Sequence, residues 1–88
     1  MIERDARIVN SLGMHARPAA QLVKLSAQYS SEIEIVKDGL GINGKSIMGV
    51  MMLAAECGST ITLRASGADE AQAVDALCAL VARGFGET

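Results

Sequence analysis

The stretch SEIEIVKDGLGI, residues 31–42, decides the fold. Ile33 and Ile35 alternate with Glu32 and Glu34, the period of a strand with one dry and one wet face, over residues 31–37. Leu40 and Ile42 repeat the pattern after Asp38-Gly39, a pair suited to a two-residue turn because glycine accepts the positive φ it demands. The segment therefore reads as a hairpin. Upstream, residues 2–9 (IERDARIV) place Ile2, Ala6 and Ile8 on one side. Downstream, Ile61, Leu63 and Ala65 stand opposite Thr60, Thr62 and Arg64. Four strands with a single apolar face each require a cover.

Helical spacing supplies it. Ala19, Leu22, Val23 and Ser26 fall at i, i+3, i+4 and i+7, widened by Leu25 and Tyr29, which predicts a helix over 16–28. Residues 46–55 form a second, shorter helix stopped by Gly58. A third begins at Asp69, whose spacing to Gln72 matches a capping box, and carries Val74, Leu77, Cys78 and Val81 to a stop at Gly84. The order βαββαβα predicts two layers, one sheet with helices on its apolar face and water on the other.

At 88 residues the chain has room for one domain, 1–88, with one core. One Tyr, one Phe and no Trp make that core aliphatic. A net charge of −2 without a Lys/Arg cluster argues against nucleic acid as a partner. The charged N-terminus, MIERDARIVN, has no apolar run long enough for a signal peptide or a membrane span, so a cytoplasmic protein without membrane insertion is expected. Cys57 and Cys78 lie far apart and read as reduced, buried thiols. A single histidine cannot complete a metal set with them, and neither metal nor cofactor is expected.

That histidine, His15, stands in GMHARPAA, residues 13–20. If the helix starts at Ala16, Pro18 lies in the first turn, where its missing N–H loses nothing, and His15 takes the cap position usually held by Ser, Thr, Asp or Asn. The bland reading is a surface cap residue. The other follows from the helix end, whose unpaired amides and positive dipole hold anions. With Arg17 beside them, they suit a phosphoryl group bonded to the imidazole, which can itself serve as a nucleophile.

LGMHARPAAQLV, NGKSIMGVMML and GSTITLRASGADEAQAV together resemble the histidine-containing phosphocarrier (HPr) family of the bacterial phosphoenolpyruvate-dependent phosphotransferase system. The similarity spans essentially the whole chain. It implies an α+β fold, an open-faced β-sandwich with a four-stranded antiparallel sheet and three helices on one face. It also implies a relay in which enzyme I phosphorylates His15 on the ring nitrogen nearer the backbone and an enzyme IIA domain receives the group. Arg17 would steady the phosphate. Ser46 matches a serine modified by HPr kinase/phosphorylase in many bacteria, although by itself it reads as an N-cap bonded to the Gly49 amide.

On KSIMGVMML, Val50 and Leu53 are expected to face the core and Ile47, Met48 and Met51 to face out. Flexible thioethers suit a surface that meets several partners. Ala16 and Ala20 keep the approach to His15 low, and Lys24 adds charge one turn on; the family resemblance implies that these positions join the second helix in the partner footprint. Ala27 and Gly49 stand where some members carry lysine, thinning the basic rim. A monomer is expected. Two alternatives stay open: a carrier of the nitrogen-related phosphotransferase branch, toward which the GFGET tail points, and a non-catalytic regulatory domain that binds a free anion.

Overall fold

The computed structural model describes residues 1–87. Strand β1 (Ile2–Arg7) is followed by α1 (Ala16–Ser26), β2 (Glu32–Lys37), β3 (Leu40–Asn43), α2 (Ile47–Met52), β4 (Thr60–Ser66) and α3 (Glu70–Ala82), with a closing 3₁₀ turn at Gly84–Gly86. The strands form one sheet in the order β1-β4-β2-β3, every neighbouring pair antiparallel. Asp38 (φ 51°) and Gly39 (φ 80°) close the β2–β3 hairpin, with Lys37 opposite Leu40.

Register explains the two faces. Ile33 and Ile35 pair with Ala65 and Leu63, and Ala6 pairs with Ile61, so the apolar alternations of three strands coincide on one side. That side is sealed by Ala73, Val74, Leu77 and Val81 of α3, Ala19 and Leu22 of α1, and Val50 of α2, all fully buried. On the wet side Arg64 bonds both Glu3 (2.6 Å) and Glu34 (2.9 Å), its neighbours in the ladder. The βαββαβα order and the open-faced architecture are those anticipated.

Several boundaries differ. β1 ends at Arg7, two residues early, although Ile8 still exchanges backbone hydrogen bonds with the loop before β4 (Ile8 N–H to Ser59 O, 2.9 Å; Gly58 N–H to Ile8 O, 2.8 Å). α1 ends at Ser26 because Gln28 and Tyr29 donate three residues back, to Leu25 and Ser26, tightening the last turn. α2 stops at Met52, well short of Gly58. Leu53 and Ala54 likewise donate three residues back, and Ala54 turns left-handed (φ 50°), which delivers Ala55 into the core. Leu40 is 48 % exposed at the hairpin end rather than part of the dry face. Cys57 is an exposed free thiol and Cys78 is half-buried, so the reading of both as buried thiols is corrected.

The capping box at Asp69 does not form. Its carboxylate makes no cap bond on its own helix and instead accepts from the amides of Ser30 (2.9 Å) and Ser31 (3.0 Å) and from the Ser31 hydroxyl, tying the start of α3 to the loop before β2. Glu70 accepts from the Gly67 amide at 3.1 Å in its place. Hydrogen bonds from the Ser31 side chain first, and then from the Ser30 amide, pull the Asp69 carboxyl down to about 2.

A carboxyl lowered in the folded state contributes stability that is complete above its unfolded pKa, about 3.9, and is lost as pH falls through the folded value. Acid titration of thermal stability should therefore show a steeper loss between about pH 4 and pH 2 in the wild type than in Asp69→Asn, which has no charge to protonate. Parallel curves for the two proteins would show that the clamp does not depend on ionisation.

Candidate functional site

The loop between β1 and α1 is held by its own backbone and by the chain leaving α2. Gly13 N–H donates to Asn10 O (3.1 Å), Asn10 Nδ2 donates to Gly13 O (2.7 Å), and Met14 N–H donates to Ala55 O (2.7 Å). Gly13 is left-handed (φ 66°), and a Cβ there would lie 2.6 Å from Ala55 O and 2.8 Å from Glu56 Cα. Only glycine combines that conformation with that approach. Met14 is buried, and the chain emerges at His15 with its direction fixed.

His15 is the N-cap of α1 (φ −87°, ψ −172°), and its carbonyl accepts the first intrahelical bond, from Ala19 N–H at 3.0 Å. Its ring makes no capping bond. The amides of Ala16 and Arg17 have no carbonyl four residues back within the helix, and Pro18, also in the first turn, has no amide to leave unpaired. The helix end thus offers two donors and a positive dipole beside the imidazole. Arg17 is exposed and lines the same open depression as His15, together with Ser11, Leu12, Phe85 and Glu87. A larger depression on the flank of the sheet, lined by Lys45 and Ser66 among others, is crossed by the Arg64–Glu34 ion pair and contains neither histidine nor cysteine.

The ring of His15 is 35 % exposed, and its Nε2 lies 2.9 Å from Glu87 Oε2. Glu87 and its second partner, Asn10 (Nδ2 to Oε1, 3.1 Å), are absent from the sequence-based reading. No local pattern links residues 10, 15 and 87. The Gly-Phe-Gly run before Glu87 is the one hint in the sequence of a structured tail.

The remaining predicted residues divide as expected on α2. Val50 and Leu53 are buried, whereas Ile47, Met48 and Met51 are exposed, Met48 at 74 %. The Ser46 hydroxyl accepts from the Gly49 amide at 3.1 Å, as an N-cap does. Ala16, Ala20 and Lys24 are exposed along α1. Sequence reasoning overlooked Met52 and Leu12, both exposed large apolar residues, the latter in the depression around His15.

A family model described as PTS HPr component phosphorylation site matches residues 2–83. The chain belongs to the PTS HPr family. The HPr phosphocarrier of Cupriavidus necator is 51 % identical over 87 residues, covering 99 % of this chain and 98 % of that protein. The phosphocarrier protein NPr of Shewanella violacea is 42 % identical over 86 residues, 98 % and 94 % of the respective chains. The crystal structure of HPr-C-His from Thermoanaerobacter tengcongensis superposes with a TM-score of 0.96 at 43 % identity, covering 100 % of this chain and 99 % of that one. No helix among the described residues of this HPr-family chain is long and apolar enough to cross a membrane.

Gly13→Ala should cost about 1–2 kcal/mol for the left-handed conformation alone, before the displaced Ala55 carbonyl is counted. Thermal unfolding followed by circular dichroism should show a midpoint roughly 5–15 °C lower. An unchanged midpoint would mean that the loop moves off the α2 exit without cost.

Proposed function

We propose that this protein is a phosphoryl relay in which His15 accepts the group from enzyme I and passes it to an enzyme IIA domain. The observation that carries the reading is the partly exposed imidazole at a helix N-terminus, beside Arg17 and the first-turn amides of Ala16 and Arg17. A phosphoryl group on the ring would meet donors already in place. The free-anion reading uses the same amides but leaves the imidazole without a task.

The energetics suit a carrier. Accepting and donating with little net change requires that the phosphorylated state not be held deeply, since tight ground-state binding would stall the second transfer. An exposed helix end contributes about 0.3–1 kcal/mol toward an anion. That is enough to orient the group without trapping it.

Docking is assigned to the exposed face of α2 (Ile47, Met48 and Met51) together with Ala16, Ala20 and Lys24 on α1. An active site on a partner could cover the apolar residues and reach His15 over the small side chains, with Arg17 and Lys24 meeting acidic groups. The carrier would act as a monomer, with both surfaces open. Ser46 is the regulatory position: a phosphate added there by an HPr kinase/phosphorylase would suit the start of α2 yet place charge beside Ile47 and Met48, disfavouring an acidic partner.

Incubation with enzyme I and radiolabelled phosphoenolpyruvate should give acid-labile, base-stable label on the wild type and none on His15→Ala, with the fold of the variant intact by circular dichroism. Label retained on that variant would end the reading. Arg17→Ala should accept more slowly, and unchanged rates with both partners would remove Arg17 from the mechanism. Met48→Glu, at an exposed position, should keep its melting temperature while enzyme I affinity falls by about tenfold or more, the equivalent of ~1.4 kcal/mol. Equal affinity in calorimetry would place the interface elsewhere.

A further inference from the structure

We infer that Glu87 is a positioning residue that fixes the tautomer of His15, leaving Nδ1 as the nucleophilic nitrogen; the inference rests on the phosphoryl-relay reading. An ionised carboxylate accepts hydrogen bonds and cannot donate them, so the 2.9 Å contact of Glu87 Oε2 with His15 Nε2 requires the proton on Nε2. In the neutral ring the lone pair then belongs to Nδ1.

Three features hold the carboxylate in place. Gly84, Phe85 and Gly86 are all left-handed (φ 63°, 58° and 76°), and Glu87 N–H closes the turn on Gly84 O at 2.9 Å. Phe85, buried at 3 % exposure, anchors that turn in the core. Asn10, itself buried, donates from Nδ2 to both Gly13 O (2.7 Å) and Glu87 Oε1 (3.1 Å). Both hydrogens of that amide are committed, so its orientation as a donor is fixed. The arrangement has the logic of a buried carboxylate orienting a catalytic histidine from the ring nitrogen that does not react.

In the transfer step the Nδ1 lone pair forms the bond to phosphorus as the bond between phosphorus and the phosphorylated partner breaks, its electron pair returning to the partner. The proton remains on Nε2. The ring gains positive charge as it is phosphorylated, and the Glu87 carboxylate lies against the nitrogen that carries the proton. No proton transfer is needed.

The donor pattern makes the test asymmetric. In Glu87→Gln the side-chain oxygen faces the Asn10 donor, which turns the new NH₂ group toward His15 Nε2 and demands a lone pair there. The tautomer should reverse to Nδ1–H. Glu87→Ala removes the preference without reversing it, so the conservative change should be the more damaging one. The full chain, labelled with ¹⁵N-histidine, reports the tautomer directly because His15 is the one histidine present. Neutral His15 should be Nε2–H in the wild type, mixed in Glu87→Ala and mainly Nδ1–H in Glu87→Gln. Phosphorylation by phosphoenolpyruvate-charged enzyme I should slow roughly tenfold in the alanine variant and on the order of 10²-fold in the glutamine variant, as a wrong tautomer does elsewhere. A wild-type rate in Glu87→Gln, or an Nδ1–H ring in the wild type, would overturn the role. If the wild type itself accepts no label, the relay reading falls and the role falls with it, a result distinct from equal rates in labelled wild type and variant.

Discussion

The hydrogen bond from the Met14 amide to the Ala55 carbonyl is the joint on which the His15 end of the molecule depends. It links the loop carrying His15 to the chain as it leaves α2, and it forms because Gly13 lets two backbones approach more closely than any Cβ would permit. The early end of α2, the left-handed Ala54 and the burial of Ala55 follow from the same closeness. A full-length second helix would carry Ala55 away from the loop. The direction in which α1 begins, and so the aim of the imidazole, is set by a contact that involves no functional side chain.

The sheet and its cover were legible because both are written in short periods. Ile33, Ile35, Leu63 and Ala65 alternate where they stand, and residues two apart need no knowledge of the rest of the chain to be assigned a face. The outward turn of Met48 and Met51 was legible for a related reason: a short helix cannot bury every methionine it carries. Ser46 as an N-cap and His15 at the start of α1 depend on neighbours within four residues. Asp69 fails the same test, since its carboxylate is taken by Ser30 and Ser31 across the molecule, and a pattern such as Asp-x-x-Gln says nothing of a competitor that folding brings near. Glu87 and Asn10 escaped for the same reason. Their meeting with His15 depends on the tail turning at Gly84–Gly86 and packing through Phe85.

A carrier histidine must be reachable and yet not free to wander. In the proposed relay, reach would come from the partly exposed His15 ring and the alanines on α1, and restraint from the pinned loop, the N-cap position and the Glu87 carboxylate against Nε2. Among the described residues Glu87 is the one side chain that bonds the ring, so the surroundings of His15 stay sparse. Sparse surroundings in turn keep the anion-binding contribution of the helix end small, which is the condition for handing a group onward.

Arg4 occupies a position on β1 where alternation with Ile2 and Ala6 would put an apolar residue, and it reaches across to Asp75 on α3 at 2.7 Å. β1 is an outermost strand of the sheet, and an outermost strand leaves a row of amides and carbonyls free to recruit another chain. A charged side chain on the inward-facing side of such a strand would have to be buried, without its partner, if a foreign strand extended the layer there. At the opposite border β3 is four residues long and contains Gly41, a poor template for lengthening the sheet. Both borders thus discourage the strand-by-strand lengthening of this sheet, even though α2 leaves Ile47, Met48, Met51 and Met52 exposed on the surface.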